Sequence, residues 1–172
     1  DVAADIGRIG QALDAEAPAA ALAARFAREI ESPRPASAVP VLIEWWPKPV
    51  IVPARRSWVS EMLALAGGRN PFDHIDAEST EIGDQQAVDA APEAVVMSWC
   101  GVAEDKYRPH VVKRRAGWSA VPALAHDRIF AISEAWLGRP GPRLLDGIER
   151  LRAVVDACAR PSRSARGYNT RP

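Results

Sequence analysis

Apolar residues recur at helical spacing from the start of the chain. Val2, Ile6, Ile9 and Leu13 fall three or four positions apart, which is the period of one helix face. A second, alanine-rich helix is predicted over Glu16–Glu31, with Pro18 in its first turn and Leu22, Phe26 and Ile30 as its apolar stripe. Residues 32–38 carry two prolines and read as a linker. The pattern then changes. Residues 39–45 are apolar almost throughout, as a strand covered on both faces should be. A proline-rich loop follows, and then a helix over 58–66 with Trp58, Met62 and Leu65 on one face, stopped by Gly67 and Gly68.

Further along, a short strand is expected at 80–82, a helix at Asp84–Ala90 and a second buried strand at 94–99. A helix is expected over 103–114, crossed by Pro109. A loop with one helical turn spans 118–124, and a third main strand spans 128–133. The closing helix, 143–159, aligns Leu144, Leu145, Ile148, Leu151, Val154 and Val155. Strands alternate with helices, and the connections are long enough for right-handed crossovers. The fold class is therefore α/β: a mainly parallel sheet with helices on both faces.

Composition changes this picture little. A chain of 172 residues with 48% hydrophobic content can bury one ordinary core. Basic and acidic residues balance at 22 each, so no global field recruits nucleic acid or an anionic membrane. Residues 160–172 hold four arginines with Ser, Gly, Asn and Pro and are expected to be a disordered tail. Cys100 and Cys158 do not make a disulfide framework. No apolar run reaches the length of a membrane span, and none reads as a signal peptide. The chain opens directly on a helical repeat without Met, as a processed product or fragment would.

Catalytic signatures are missing from the sequence. His74, His110 and His126 lie far apart and outside any metal-ligand spacing. There is no nucleophile elbow, phosphate loop or C-x-x-C pair. The chain is expected not to be an enzyme and to hold no cofactor or metal of its own.

The tryptophans are the stronger signal. Trp45 and Trp46 follow the first strand, Trp99 ends the second and Trp136 follows the third. In a parallel sheet these rings collect at the carboxyl edge, where open α/β folds bind ligands. Core packing accounts for any one of them equally well, but as a set they favour ligand contact. Trp58 and Trp118 are assigned to the core. Arg55 and Arg56 lie in the loop above the first strand, and paired guanidinium forks suit carboxylate or phosphate. A solvated loop is the alternative. Lys106, Tyr107 and Arg139 are weaker candidates at the same edge.

Taken in order, several segments resemble one family. They are WVSEMLALAGGRN (58–70), PEAVVM (92–97), GWSAVPA (117–123), the strand at 127–132 and PGPRLLDGIERL (140–151). Together they are similar to the C-terminal lobe of the substrate-binding proteins that serve ABC importers for vitamin B12, ferric siderophores and haem. The resemblance implies two α/β lobes joined by one rigid helix, with ligand between them. Residues 1–16 would end the N-terminal lobe, 17–31 would be the connecting helix, 39–159 the C-terminal lobe and 160–172 the tail. A chain holding half of a cleft would expose apolar surface that can promote self-association.

Within that family, EWWPKP is most like the vitamin B12 branch, whereas Arg55 and Arg56 keep the siderophore branch open. The family commonly carries a glutamate that docks on the permease. Its position here is Gln85, with Asp84 beside it. The expected function is capture of a cobalamin or ferric chelate and delivery to an ABC permease and its ATPase. The expected place is the periplasm or the outer face of the cytoplasmic membrane, secreted or lipid-anchored. A reading of another class is an intracellular α/β enzyme or ligand-sensing domain.

Overall fold

The computed structural model describes residues 2–33 and 38–159. The tail expected at 160–172 and part of the 32–38 linker lie outside them. Helices α1 (Val2–Ala12) and α2 (Glu16–Glu31) open the chain and pack on each other. Strand β1 (Val39–Glu44) follows, then β2 (Trp46–Pro47), β3 (Val50–Pro53), α3 (Trp58–Leu65), β4 (Gly68–Arg69) and β5 (Ser79–Ile82). Next come α4 (Asp84–Ala90), β6 (Ala94–Met97), α5 (Pro109–Lys113), α6 (Pro122–Ala125), β7 (Ile129–Ala131), α7 (Glu134–Leu137) and α8 (Leu144–Ala159).

The main sheet has the order β4-β1-β6-β7, and all its pairs are parallel. In register, Val41 lies beside Ala94 and Ile43 beside Val96, while Val96 pairs with Phe130. Side chains alternate across the sheet, so each strand feeds two cores. Val41, Ile43, Ala94 and Val96 face one layer with Met62, Leu63, Leu151 and Val155 from α3 and α8. Leu42, Val95 and Met97 face the other with Phe72, Val112 and Trp118. Burial on both faces explains the unbroken apolar runs in β1 and β6. Phe26 of α2 is buried in the first layer, and Arg152 in α8 pairs with Glu29 at 2.6 Å.

The structure corrects three sequence expectations. The proline-rich loop after β1 is a hairpin, β2–β3, which with β5 forms a second, antiparallel sheet ordered β2-β3-β5. The helix expected over 103–114 is instead a single 3-10 turn at Glu104–Lys106 followed by α5. Pro109 sits at the first helical position of α5, and Tyr107 and Arg108 before it are extended, because proline clashes with a helical predecessor. The second and third main strands are also shorter than read, ending at Met97 and Ala131.

Candidate functional site

Strands β1, β6 and β7 end side by side, so the segments after Glu44, Met97 and Ala131 share the carboxyl edge of the parallel sheet. Two adjoining open grooves run along it. The first, about 400 Å³, lies among Trp45, Arg56, Trp58, Glu78, Cys100 and Gly138. The second, about 650 Å³, lies between residues 101–103 on one side and 133–135 and 139–143 on the other. Cys100 and Gly101 are chain neighbours, as are Gly138 and Arg139, so the same two segments border both grooves.

The first groove is built on a rigid frame. Ser57 caps α3 by accepting from the Val59 N–H at 3.2 Å. Ser60 donates to the Ala54 carbonyl at 2.9 Å. Buried Asn70 donates to the Pro53 carbonyl and to Ser60 Oγ, both at 2.9 Å, and accepts from the Phe72 N–H. The strand-to-helix loop that carries Arg55, Arg56 and Trp58 is thereby pinned on both sides. The preceding glycine pair makes this possible. Gly67 takes a positive φ of 89°, and a Cβ on Gly68 would lie 2.5 Å from Leu63 Cδ1.

Trp58 is 40% exposed, not the core residue the sequence suggested. Its indole N–H donates to the Leu137 carbonyl at 2.8 Å, which leaves the ring on the groove and ties α3 to α7. Trp45 is half-buried on the same groove, and Trp46 is 40% exposed on the hairpin, donating to the Lys48 carbonyl. Trp118 is fully buried, as expected.

Trp99 is buried beneath the edge. Its ring lies against Tyr107, and its N–H donates to Glu44 Oε1 at 2.8 Å. Trp136 sits apart, its ring under the guanidinium groups of Arg143 and Arg150 on the α8 side. The edge therefore brings Trp45 and Trp58 together, with Trp99 below and Trp136 outside the first groove.

Arg55 and Arg56 share one acid, Asp76, at 2.8 and 3.7 Å. The hydrogen bond and charge of Arg55, aided by Arg56, hold the Asp76 carboxyl below its ordinary range. With Glu78 on the same groove, two carboxylates stand against the two guanidiniums at the rim. In the second groove, Glu134 accepts from the Gly101 N–H at 2.8 Å and lies 3.4 Å from Arg139. Partial desolvation against the groove wall, then the charge of Glu134, pushes the thiol of the exposed Cys100 above its ordinary value.

Sequence reasoning missed the centre of the edge. Glu44 is completely buried at the end of β1, held by Arg115 at 2.5 and 2.9 Å. Arg115 also donates to the Pro47 carbonyl and lies 4.4 Å over the Trp118 ring. At α4, Gln85 is exposed and hydrogen-bonds Asp89, while Asp84 Oδ1 accepts from the Trp118 indole at 2.8 Å. Among the described residues no cluster of His, Cys, Asp and Glu could hold a metal ion, and no helix is long and apolar enough to cross a membrane.

The family model for "periplasmic binding protein" matches residues 2–135. A vitamin B12-binding protein of Vibrio vulnificus is 29% identical over 107 residues, covering 60% of this chain and 36% of that protein. An uncharacterised ABC transporter substrate-binding lipoprotein of Bacillus subtilis is 29% identical over 115 residues, covering 64% and 33%. The matched segment thus spans about a third of the length of these relatives. Among solved structures, an apo periplasmic haem-binding protein of Roseiflexus superposes with a TM-score of 0.77 at 23% identity, covering 92% of this chain and 63% of that one. The periplasmic vitamin B12-binding protein of Vibrio cholerae gives 0.69 at 19% identity, covering 93% and 62%. At such identities the likeness concerns the fold.

Proposed function

The chain belongs to the periplasmic binding protein family, a family of binding proteins and not of enzymes, and from that premise we propose that it supplies one wall of the ligand cleft in the substrate-binding component of an ABC importer. The observation that carries this reading is the aromatic groove at the carboxyl edge, where Trp45 and Trp58 flank an opening bordered by Arg56. Flat apolar walls with few polar groups suit a large conjugated ring system held by stacking and burial. The ligand of the proposal is a corrinoid of the cobalamin type.

In this reading, residues 39–159 form the C-terminal lobe, 17–31 the connecting helix and 1–16 the end of the other lobe. Trp45, Trp46, Arg55, Arg56 and Trp58 contact the ligand and Trp99 supports them from below, whereas Trp136, which lines neither groove, takes no part. Asp84 and Gln85 at the start of α4 face the permease. The protein acts at the periplasmic or outer face of the cytoplasmic membrane. A ferric siderophore or haem is the second reading, in which the exposed guanidinium forks of Arg55 and Arg56 meet the anionic groups of the ligand.

The test is a titration of the intact protein with cyanocobalamin, followed by tryptophan quenching. Saturable quenching that weakens in the Trp45→Ala variant is the expected result. Quenching by a ferric siderophore or haemin alone moves the assignment to the second reading. No saturable response to any of the three overturns the proposal.

A further inference from the structure

A continuous series of polar and stacking contacts leaves the ligand edge and ends on a different surface. It begins at Trp99, whose indole donates to the buried carboxylate of Glu44 at 2.8 Å. Arg115 grips both oxygens of Glu44 and also holds the Pro47 carbonyl at the start of the β2–β3 hairpin. The back of the same guanidinium lies on Trp118, and Trp118 donates to Asp84 at the first position of α4. Asp84 is fitted there closely: a Cβ on Gly117 would come within 2.6 Å of its Cβ. One planar cation therefore touches three separate segments, alongside the backbone route in which β3 pairs with β5 and β5 leads through Gly83 into α4.

We propose that Arg115 is the positioning residue that couples the ligand edge to the amino end of α4. Its fork fixes Glu44 and the hairpin, and its π face fixes Trp118 and, through the indole N–H, Asp84. A shift of Trp99 or of the hairpin is passed on as a shift of the α4 start. The functional sense of this coupling rests on the reading that the edge faces ligand and α4 faces the permease. Arginine suits the post because its rigid fork and flat face are used at once, which a lysine point charge cannot do. Linkage makes the coupling reciprocal: a change at Asp84 must be felt at Trp99.

The experiment uses neither ligand nor permease, so its failure is separate from failure of the cobalamin titration. Indole N–H resonances are recorded for the wild type and for Asp84→Asn. The Trp99 resonance is expected to shift, although Asp84 does not touch Trp99, and the shift is expected to vanish when Arg115→Lys is added. In the reverse direction, Glu44→Gln is expected to raise amide exchange at Ala87, whose N–H bonds the Gly83 carbonyl, by about fivefold while α8 stays unchanged. If Arg115→Lys fails to fold, Gly117→Ala replaces it, since it displaces Asp84 with Arg115 intact and must also move Trp99. An unmoved Trp99 resonance in both Asp84→Asn and Gly117→Ala overturns the proposal, as does the same shift persisting without the arginine.

Discussion

At the scale of single residues, the decisive group is Glu44, a carboxylate with no exposed surface at the end of an apolar strand. Removing such a charge from water costs several kcal/mol, and the Arg115 fork and the Trp99 N–H offset it. Arg115→Met should therefore destabilise the protein by ~3–5 kcal/mol, because it strands the carboxylate. Adding Glu44→Gln should recover part of the loss, and urea unfolding of the two variants measures both. None of this was legible in the sequence. A glutamate ending a strand reads as the polar start of a loop, and its partner lies 71 positions away. Trp58 was misread for a similar reason, since apolar helix periodicity does not reveal that the helix begins at a groove. Cys100 gives a second prediction. Its thiol, exposed but partly desolvated, is raised by that desolvation and by Glu134, so the folded chain binds that proton more tightly than the unfolded chain. The sign follows: thiolate forms later, and alkylation by iodoacetamide should climb only at a pH above that of an ordinary thiol. Glu134→Gln should lower that midpoint at Cys100 and leave Cys158 unchanged, as read by peptide mass spectrometry.

At the scale of elements, long periodic segments were legible and proline-rich ones were not. Helix α2 lies where periodicity put it, because an apolar stripe on a helix is a local signal. The parallel strands β1 and β6 were legible from burial on both faces. The β2–β3 hairpin was hidden by Pro47, Pro49 and Pro53, residues that demote a strand reading although edge strands tolerate them. Its partner β5 lies beyond α3 in the chain, so only the tertiary fold completes that sheet. The contact between α7 and α8 shows how tightly elements close behind the site. Gly147 is buried in α8, where a Cβ would run into the Trp136 carbonyl and lie 2.8 Å from Met62 Cε. In an open helix Gly→Ala would stabilise by roughly 0.5–1 kcal/mol. Here overpacking should reverse the sign, and Gly147→Ala should destabilise by about 1–3 kcal/mol in thermal unfolding.

At the scale of the whole molecule, the grooves are open to solvent along the sheet edge, and the chain covers less than two thirds of the relatives it matches. A binding pocket ordinarily buries 70–90% of a ligand's surface, and a single wall leaves much of a ring system in water. The 172-residue chain alone should therefore bind cyanocobalamin no more tightly than about 100 μM, roughly a thousandfold short of a sub-micromolar two-walled site. Quenching should come from Trp45 and Trp58, which line the first groove, and not from Trp118, which is fully buried. Trp45→Phe and Trp58→Phe should each remove part of the signal, whereas Trp118→Phe should lower the starting fluorescence without changing the fractional loss. Salt then separates the two ligand readings. Cyanocobalamin is neutral, so its affinity should be flat across ionic strength. An anionic ferric chelate drawn by Arg55 and Arg56, both exposed, should bind more weakly as salt screens those charges. Isolated-chain affinity equal to that of the intact protein would show that one wall suffices, and the lobe assignment would then lose its reason.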